Sequence, residues 1–350
     1  MELGLTYRAV FFALVLLPFI IKYIFNGFSI NNKLGLIFVL LALLIEITFR
    51  QSGGTDYSNY KSLWDYIVGS PDLWRDRDYF EIGFLFYMRL LSTFSDSIFF
   101  YQFVTFLIPA VIFYIISRNL RLEQSIFVLV LYSSFIAPYY LNVVGQGLAI
   151  AFFLLMFMVL TIPRLFERSK AGSILLVSLS LHKSAIFASA LFLNKRDTLI
   201  LLIFVGAIIS ALLIYFGLEN LVILAYSLGF GFSLEYDFEA SVTFNDIAYR
   251  FAHLIIILFF AYVVESNSRL KYAIWIYIFG FLLFLFLIPF PVVALRTSLF
   301  FRSLELIIYP LIGSEMKHLT NRGIFSLALL AIYSVPFYLN WSNPLNLVLI

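Results

Sequence analysis

Between residues 50 and 81 the chain carries Arg50, Asp56, Lys61, Asp65, Asp72, Arg75, Asp76, Arg77, Asp78 and Glu81, although only 12% of all its residues are charged. A carboxylate such as Asp56 or Glu81 can take the proton from an attacking hydroxyl. A planar guanidinium such as Arg50 can grip a phosphate through paired N–H donors, or it can simply snorkel from a span end to the interface. Tyr57 and Tyr60 can stack on a sugar ring while their hydroxyls hydrogen-bond it. Asp56 and Tyr57 follow the pair Gly53-Gly54, which allows a tight turn with positive φ. By themselves such groups support a protein that handles an anionic or sugar-bearing amphiphile. The bland alternative is an Asx-type turn leaving a membrane.

Four more places carry polar groups inside apolar text. His182 and Lys183 interrupt the run Leu-Ser-Leu-His-Lys-Ser-Ala-Ile. Burying the lysine at membrane depth costs about 2.5–3.5 kcal/mol on insertion scales, which calls for a partner or a function. Gln146 opens a long apolar segment and can hydrogen-bond a sugar or cap a helix. Arg296 and Arg302 lie six residues apart, about 120° around a helix, so at most one faces a narrow cavity squarely. Glu305 is three residues beyond Arg302, which suits a structural ion pair and leaves Arg296 the better phosphate ligand. Last, the stretch 218–250 mixes Glu219, Glu235, Asp237, Glu239, Asp246 and Arg250 with Tyr236, Phe238, Phe244 and Tyr249, as a sugar-gripping loop or an ordinary solvated one would. His182, His253 and His318 are far apart, so a zinc site has no support, and no metal or cofactor is expected.

These groups must be held by helices in a bilayer. The chain is 63% hydrophobic and 19% aromatic, well above a typical soluble domain, so it reads as all-α and integral to the membrane. With no cysteine, thiol catalysis and disulfides are excluded, and a net charge of +3 gives no basic stripe for nucleic acid. A spanning helix needs roughly 20 apolar residues. Candidates fall near 5–25, 34–49, 97–117, 125–141, 147–162, 198–217, 251–265, 272–290, 297–313 and 323–341, with interrupted apolar stretches at 80–94 and 172–193. The expectation is a single polytopic domain over residues 1–350, with about 10–12 membrane segments, some of them re-entrant. The first apolar run lacks a small-residue cleavage site and reads as a retained span.

Lysine and arginine collect at Lys22 and Lys33, Arg118 and Arg121, Arg164 to Lys170, Lys195 and Arg196, Arg269 and Lys271, and Lys317 with Arg322. Placing all of these in the cytoplasm puts 50–81, the 141–146 turn, 218–250 and the 291–296 turn outside. That holds only if 80–94 does not cross and if 172–193 enters and leaves on one side, with His182-Lys183 at its tip. A simple single span over 172–193 would invert everything after it.

The motif Gly54-Thr55-Asp56-Tyr57 with Tyr60, closed by Glu81-Ile82-Gly83-Phe84, resembles the EpsG-like branch of Wzy-type repeat-unit polymerases. The helix opening at Gln146, the triplet His182-Lys183-Ser184 and the Phe-rich segment after Arg296 match the same pattern in order. Gly145 departs from it, standing where relatives often carry arginine. The resemblance implies a GT-C-like membrane glycosyltransferase of the bacterial inner membrane with its site facing the periplasm. Its substrate would be an undecaprenyl-diphosphate-linked oligosaccharide, joined by inverting transfer into O-antigen, capsule or exopolysaccharide. Membrane lipid and a chain-length regulator protein are the implied partners. Asp56, Glu81 and His182 would be the catalytic candidates. Arg50, Tyr57, Tyr60, Gln146, Lys183, Arg296 and Arg302 would bind substrate. A flippase for the same lipid, or less readily an acyltransferase decorating the polymer, would use similar residues. The first usually shows internal symmetry of its halves, which this chain lacks.

Overall fold

In a computed structural model of the protein, the described residues are 57–70, 81–131, 144–162, 168–192, 242–264, 268–288, 290–316 and 319–339. They form α-helices and one 3₁₀ helix, with no strand among them. In chain order these are α1 (Tyr57–Gly69), α2 (Ile82–Ser92), α3 (Ile98–Leu120), α4 (Gln124–Val130), α5 (Val144–Thr161) and α6 (Arg168–Leu181). A 3₁₀ helix (Lys183–Phe192) follows, then α7 (Phe244–Val263), α8 (Ser268–Leu287), α9 (Pro291–Arg302), α10 (Glu305–Glu315) and α11 (Leu319–Leu339). Among the described residues, α3, α5, α7 and α8 are long and apolar enough to cross a membrane. The protein is an all-α polytopic membrane protein.

The core runs through α5, which is buried on nearly every side: Gln146, Ala149, Phe153, Met156 and Phe157 are all fully enclosed. It packs against α3, α6 and the 3₁₀ helix. Such all-round apolarity marks a helix surrounded by protein rather than by lipid. By contrast α3 shows Phe99, Phe103, Leu107, Val111 and Ile115 on one exposed stripe at four-residue spacing. Side chains four apart share a helix face, and a bilayer accommodates that stripe at no cost.

The sequence expectations are corrected at several boundaries. The span expected over 297–313 is two helices, α9 and α10, separated at Ser303 and Leu304. The supposed turn at 291–296 is the start of α9, because Pro291 has the fixed φ suited to a first helical turn. In the same way Val144 begins α5, so Gln146 lies in a first helical turn and not in the expected 141–146 turn. The last seven residues of the 218–250 stretch belong to α7. There Thr243 and Asp246 form a capping box that starts the helix ahead of its apolar run. Within 50–81, residues from Tyr57 to Gly69 are helical, and Arg89 closes that helix by donating to the carbonyls of Ile67 (2.6 Å) and Ser70 (3.2 Å).

Two interrupted stretches behave as their composition suggests. At eleven residues, α2 is about 16 Å long and too short to cross. The stretch 172–193 is an α-helix and a 3₁₀ helix that meet at His182. The candidate spans near 5–25, 34–49 and 198–217 lie outside the described residues.

Candidate functional site

The amino-terminal ends of α2 and α5 meet the carboxy-terminal end of α6 in one junction. Gly83 of α2 lies so close to α6 that a Cβ there would stand 2.5 Å from the Cβ, Oγ and carbonyl O of Ser180. Only a residue without a side chain allows that approach. A Cβ at Gly145 would sit 3.4 Å from the Leu181 carbonyl and 3.5 Å from the Phe84 ring. The Phe84 ring also receives Tyr60 of α1 edge-on, with centroids 5.8 Å apart. On the far side of α5, Gln146 donates through Nε2 to the carbonyl of Arg296 in α9, at 2.7 Å. That helix packs in turn on the 3₁₀ helix that Lys183 begins.

Residues from five separate stretches therefore share one neighbourhood. Tyr60 is half-buried on α1. Glu81 precedes α2 in its N-cap position with extended backbone (φ −66°, ψ 138°). His182 is buried at the α6 junction, where its carbonyl accepts from Ala185 N at 3.0 Å. Arg296 is half-buried on α9 and has no carboxylate partner among the described residues. Arg50 and Asp56 lie outside the described residues, as do the side chains of Tyr57 and Lys183. Gln146 is fully buried, with its amide nitrogen engaged by α9 and its Oε1 lacking a hydrogen-bond partner among the described residues.

Arg302 stands in a different place. Its Nε is 3.4 Å from Oε1 of Glu305, and its guanidinium lies 5.1 Å from the centroid of the Tyr249 ring. The Glu305 carboxylate is fully enclosed, yet each of its oxygens has company. Tyr277 donates to Oε1 and Tyr333 to Oε2, each at 2.9 Å. His253 Nδ1 is 3.4 Å from Oε2 and shares a 2.8 Å hydrogen bond with the Tyr309 hydroxyl. One turn from His253, Arg250 lies 3.6 Å from Asp246 Oδ1, donates to Ser298 Oγ at 3.2 Å, and covers the Phe284 ring at 4.4 Å. The knot ties α7, α8, α9, α10 and α11 together. Among the described residues its formal charges cancel, two arginines against two carboxylates, as a low-dielectric interior demands.

No group of three or more metal-ligating side chains occurs among the described residues. The family question is decided by the chain as a whole: residues 33–348 match the model of the EpsG family. The chain belongs to the EpsG family. That membership makes it a membrane protein of polysaccharide biosynthesis. Neither curated proteins nor solved structures give a match.

Sequence reasoning placed Arg302 with Glu305 but missed the rest of the knot. Asp246 and Arg250 were assigned to a loop, and His253 entered only in ruling out zinc. A signal was present. Asp246, Arg250 and His253 follow one another at i, i+4 and i+7, which is one helix face, and ionisable residues in an apolar helix turn toward protein. The four tyrosines left no such trace, because they belong to helices whose partners are not legible from spacing.

Proposed function

We propose that the chain joins undecaprenyl-diphosphate-linked oligosaccharide repeats into a surface polysaccharide, at the periplasmic face of a bacterial inner membrane. The observation that supports this reading is that the segments bearing Tyr60, Glu81, His182 and Arg296 pack at one junction, in a chain of the EpsG family. The attacking hydroxyl of one repeat gives its proton to a carboxylate, Glu81 or Asp56, as its oxygen bonds to the anomeric carbon of the other. The bond from that carbon to the diphosphate breaks with inversion, and the diphosphate leaves with the electron pair. Arg296, with His182, Lys183 and Arg50, neutralises the charge that develops on it. Tyr57 and Tyr60 hold the sugar rings. Gln146 acts one step back, fixing the carbonyl of Arg296 rather than reaching a sugar, while Arg302 is committed to Glu305.

The gel pattern of surface polysaccharide from the source cell tests the reading, with the gene deleted and then restored. Polymerisation requires collapse of the ladder to a single capped repeat and its recovery on complementation. Loss of every repeat would instead indicate a flippase, and an intact ladder with altered repeat mass a decorating enzyme.

A further inference from the structure

The half-helix α9 belongs both to the junction, through Arg296, and to the knot around Glu305, through Ser298 and Arg302. At twelve residues α9 is about 18 Å long, bounded by Pro291 at one end and by the break at Ser303 and Leu304 at the other. Its enclosed face carries small or polar side chains at Ala294, Thr297 and Ser298, around Arg296, and buries Phe300 and Phe301 at its carboxy-terminal end, where they pack on Phe153 and Phe279. Polar anchors act along with that packing. Gln146 holds the Arg296 carbonyl at 2.7 Å, Arg250 holds Ser298 at 3.2 Å, and Glu305 holds Arg302 at 3.4 Å. A buried ion pair is seldom more stabilising than a packed apolar substitute, so its use here favours a geometric role.

We propose that Glu305 is a positioning residue: by holding Arg302 where α9 gives way to α10, its carboxylate sets the rotation at which α9 presents Arg296, about 9 Å along α9 from Arg302. The consequence for activity rests on Arg296 acting as a substrate ligand. The geometric claim does not. Tyr277 and Tyr333 clamp the carboxylate to α8 and α11, so the lock is referenced to two long helices and not to α10 alone. Glu305 touches no substrate in this scheme and acts only through Arg302 and the pitch of α9.

Because the chain has no cysteine, a single introduced thiol reports on one position cleanly. Arg296→Cys is labelled with a charged maleimide in the detergent-solubilised full chain, alone and combined with Glu305→Gln or Arg302→Lys. A cysteine at exposed Asp96, outside the knot, serves as the control. Positioning predicts a severalfold change in labelling rate at 296 and none at 96. Unchanged rates at 296 in both combinations would overturn the proposal, as would parallel changes at 296 and 96, which denote general loosening. In the chain with Arg296 intact, Glu305→Gln should lower polymer formation about a hundredfold through turnover. The half-saturating concentration of lipid-linked repeats extracted from the deletion strain should hold, and Glu305→Asp should recover part of the rate. If the unaltered chain makes no polymer, the functional reading fails, and the labelling result still decides the positioning one.

Discussion

The junction at Gln146 and the knot at Glu305 use polar groups in opposite ways. In the knot every charge has a counter-charge: Arg302 meets Glu305 and Arg250 meets Asp246. In the junction the helices are held by close glycine contacts, an edge-on aromatic pair and neutral hydrogen bonds. Arg296 is left there half-buried with no carboxylate beside it among the described residues. The richer cluster of ions is the one already satisfied. A concentration of buried charge marks a structural anchor when its members neutralise one another.

The sharpest way to break this contrast is Glu305→Ala. It removes the Glu305 carboxylate from Arg302 and the acceptor that Tyr277 and Tyr333 share, at a cost of about 3–5 kcal/mol. The expected outcome is loss of the monodisperse protein on size-exclusion chromatography after mild heating. Arg296→Ala should do the reverse. Its protein level should match the parent, while polymer formation in whole cells falls about a hundredfold, as when one charge-stabilising donor is removed. Normal chain length at wild-type level would remove Arg296 from the site.

Gly83→Ala comes next, since its methyl meets Ser180 at 2.5 Å and must push α2 from α6, costing about 1–3 kcal/mol. Both the thermal midpoint and polymer length should drop, because this packing contact lies beside the proposed site. Tyr309→Phe should cost about 1 kcal/mol, the worth of one buried hydrogen bond to His253, with polymer length unchanged. A polymer defect without a stability defect in that variant would mean the knot reaches the chemistry directly.

How far the sequence could be read depended on the kind of signal. Membrane class and helical content followed from composition, since a bilayer allows few alternatives to helices for an apolar chain. The short reach of α2 and the interruption at His182 were also legible, because charge and length bear directly on spanning. The break after Arg302 was not. Arg302 to Glu305 reads as continuous helix by spacing. The turn at Ser303 and Leu304 keeps right-handed helical dihedrals while tightening to i→i+3 bonds, in which Leu304 N donates to the Phe301 carbonyl. No residue pattern announces that change. Capping misled the reading at 244–250, where a charged first turn resembles a loop until Thr243 and Asp246 are seen to cap each other. Of the candidate residues, Arg296 and Gln146 were singled out separately, yet nothing in the sequence indicated that one holds the other's carbonyl.

The most direct test uses the purified full chain in detergent with lipid-linked repeats extracted from the deletion strain, followed by mass spectrometry of the lipid fraction. The account predicts lipid-linked species at two and more repeat masses, with one undecaprenyl diphosphate released for each bond formed. Repeats recovered only at their starting mass, under conditions where the protein remains folded, would contradict it.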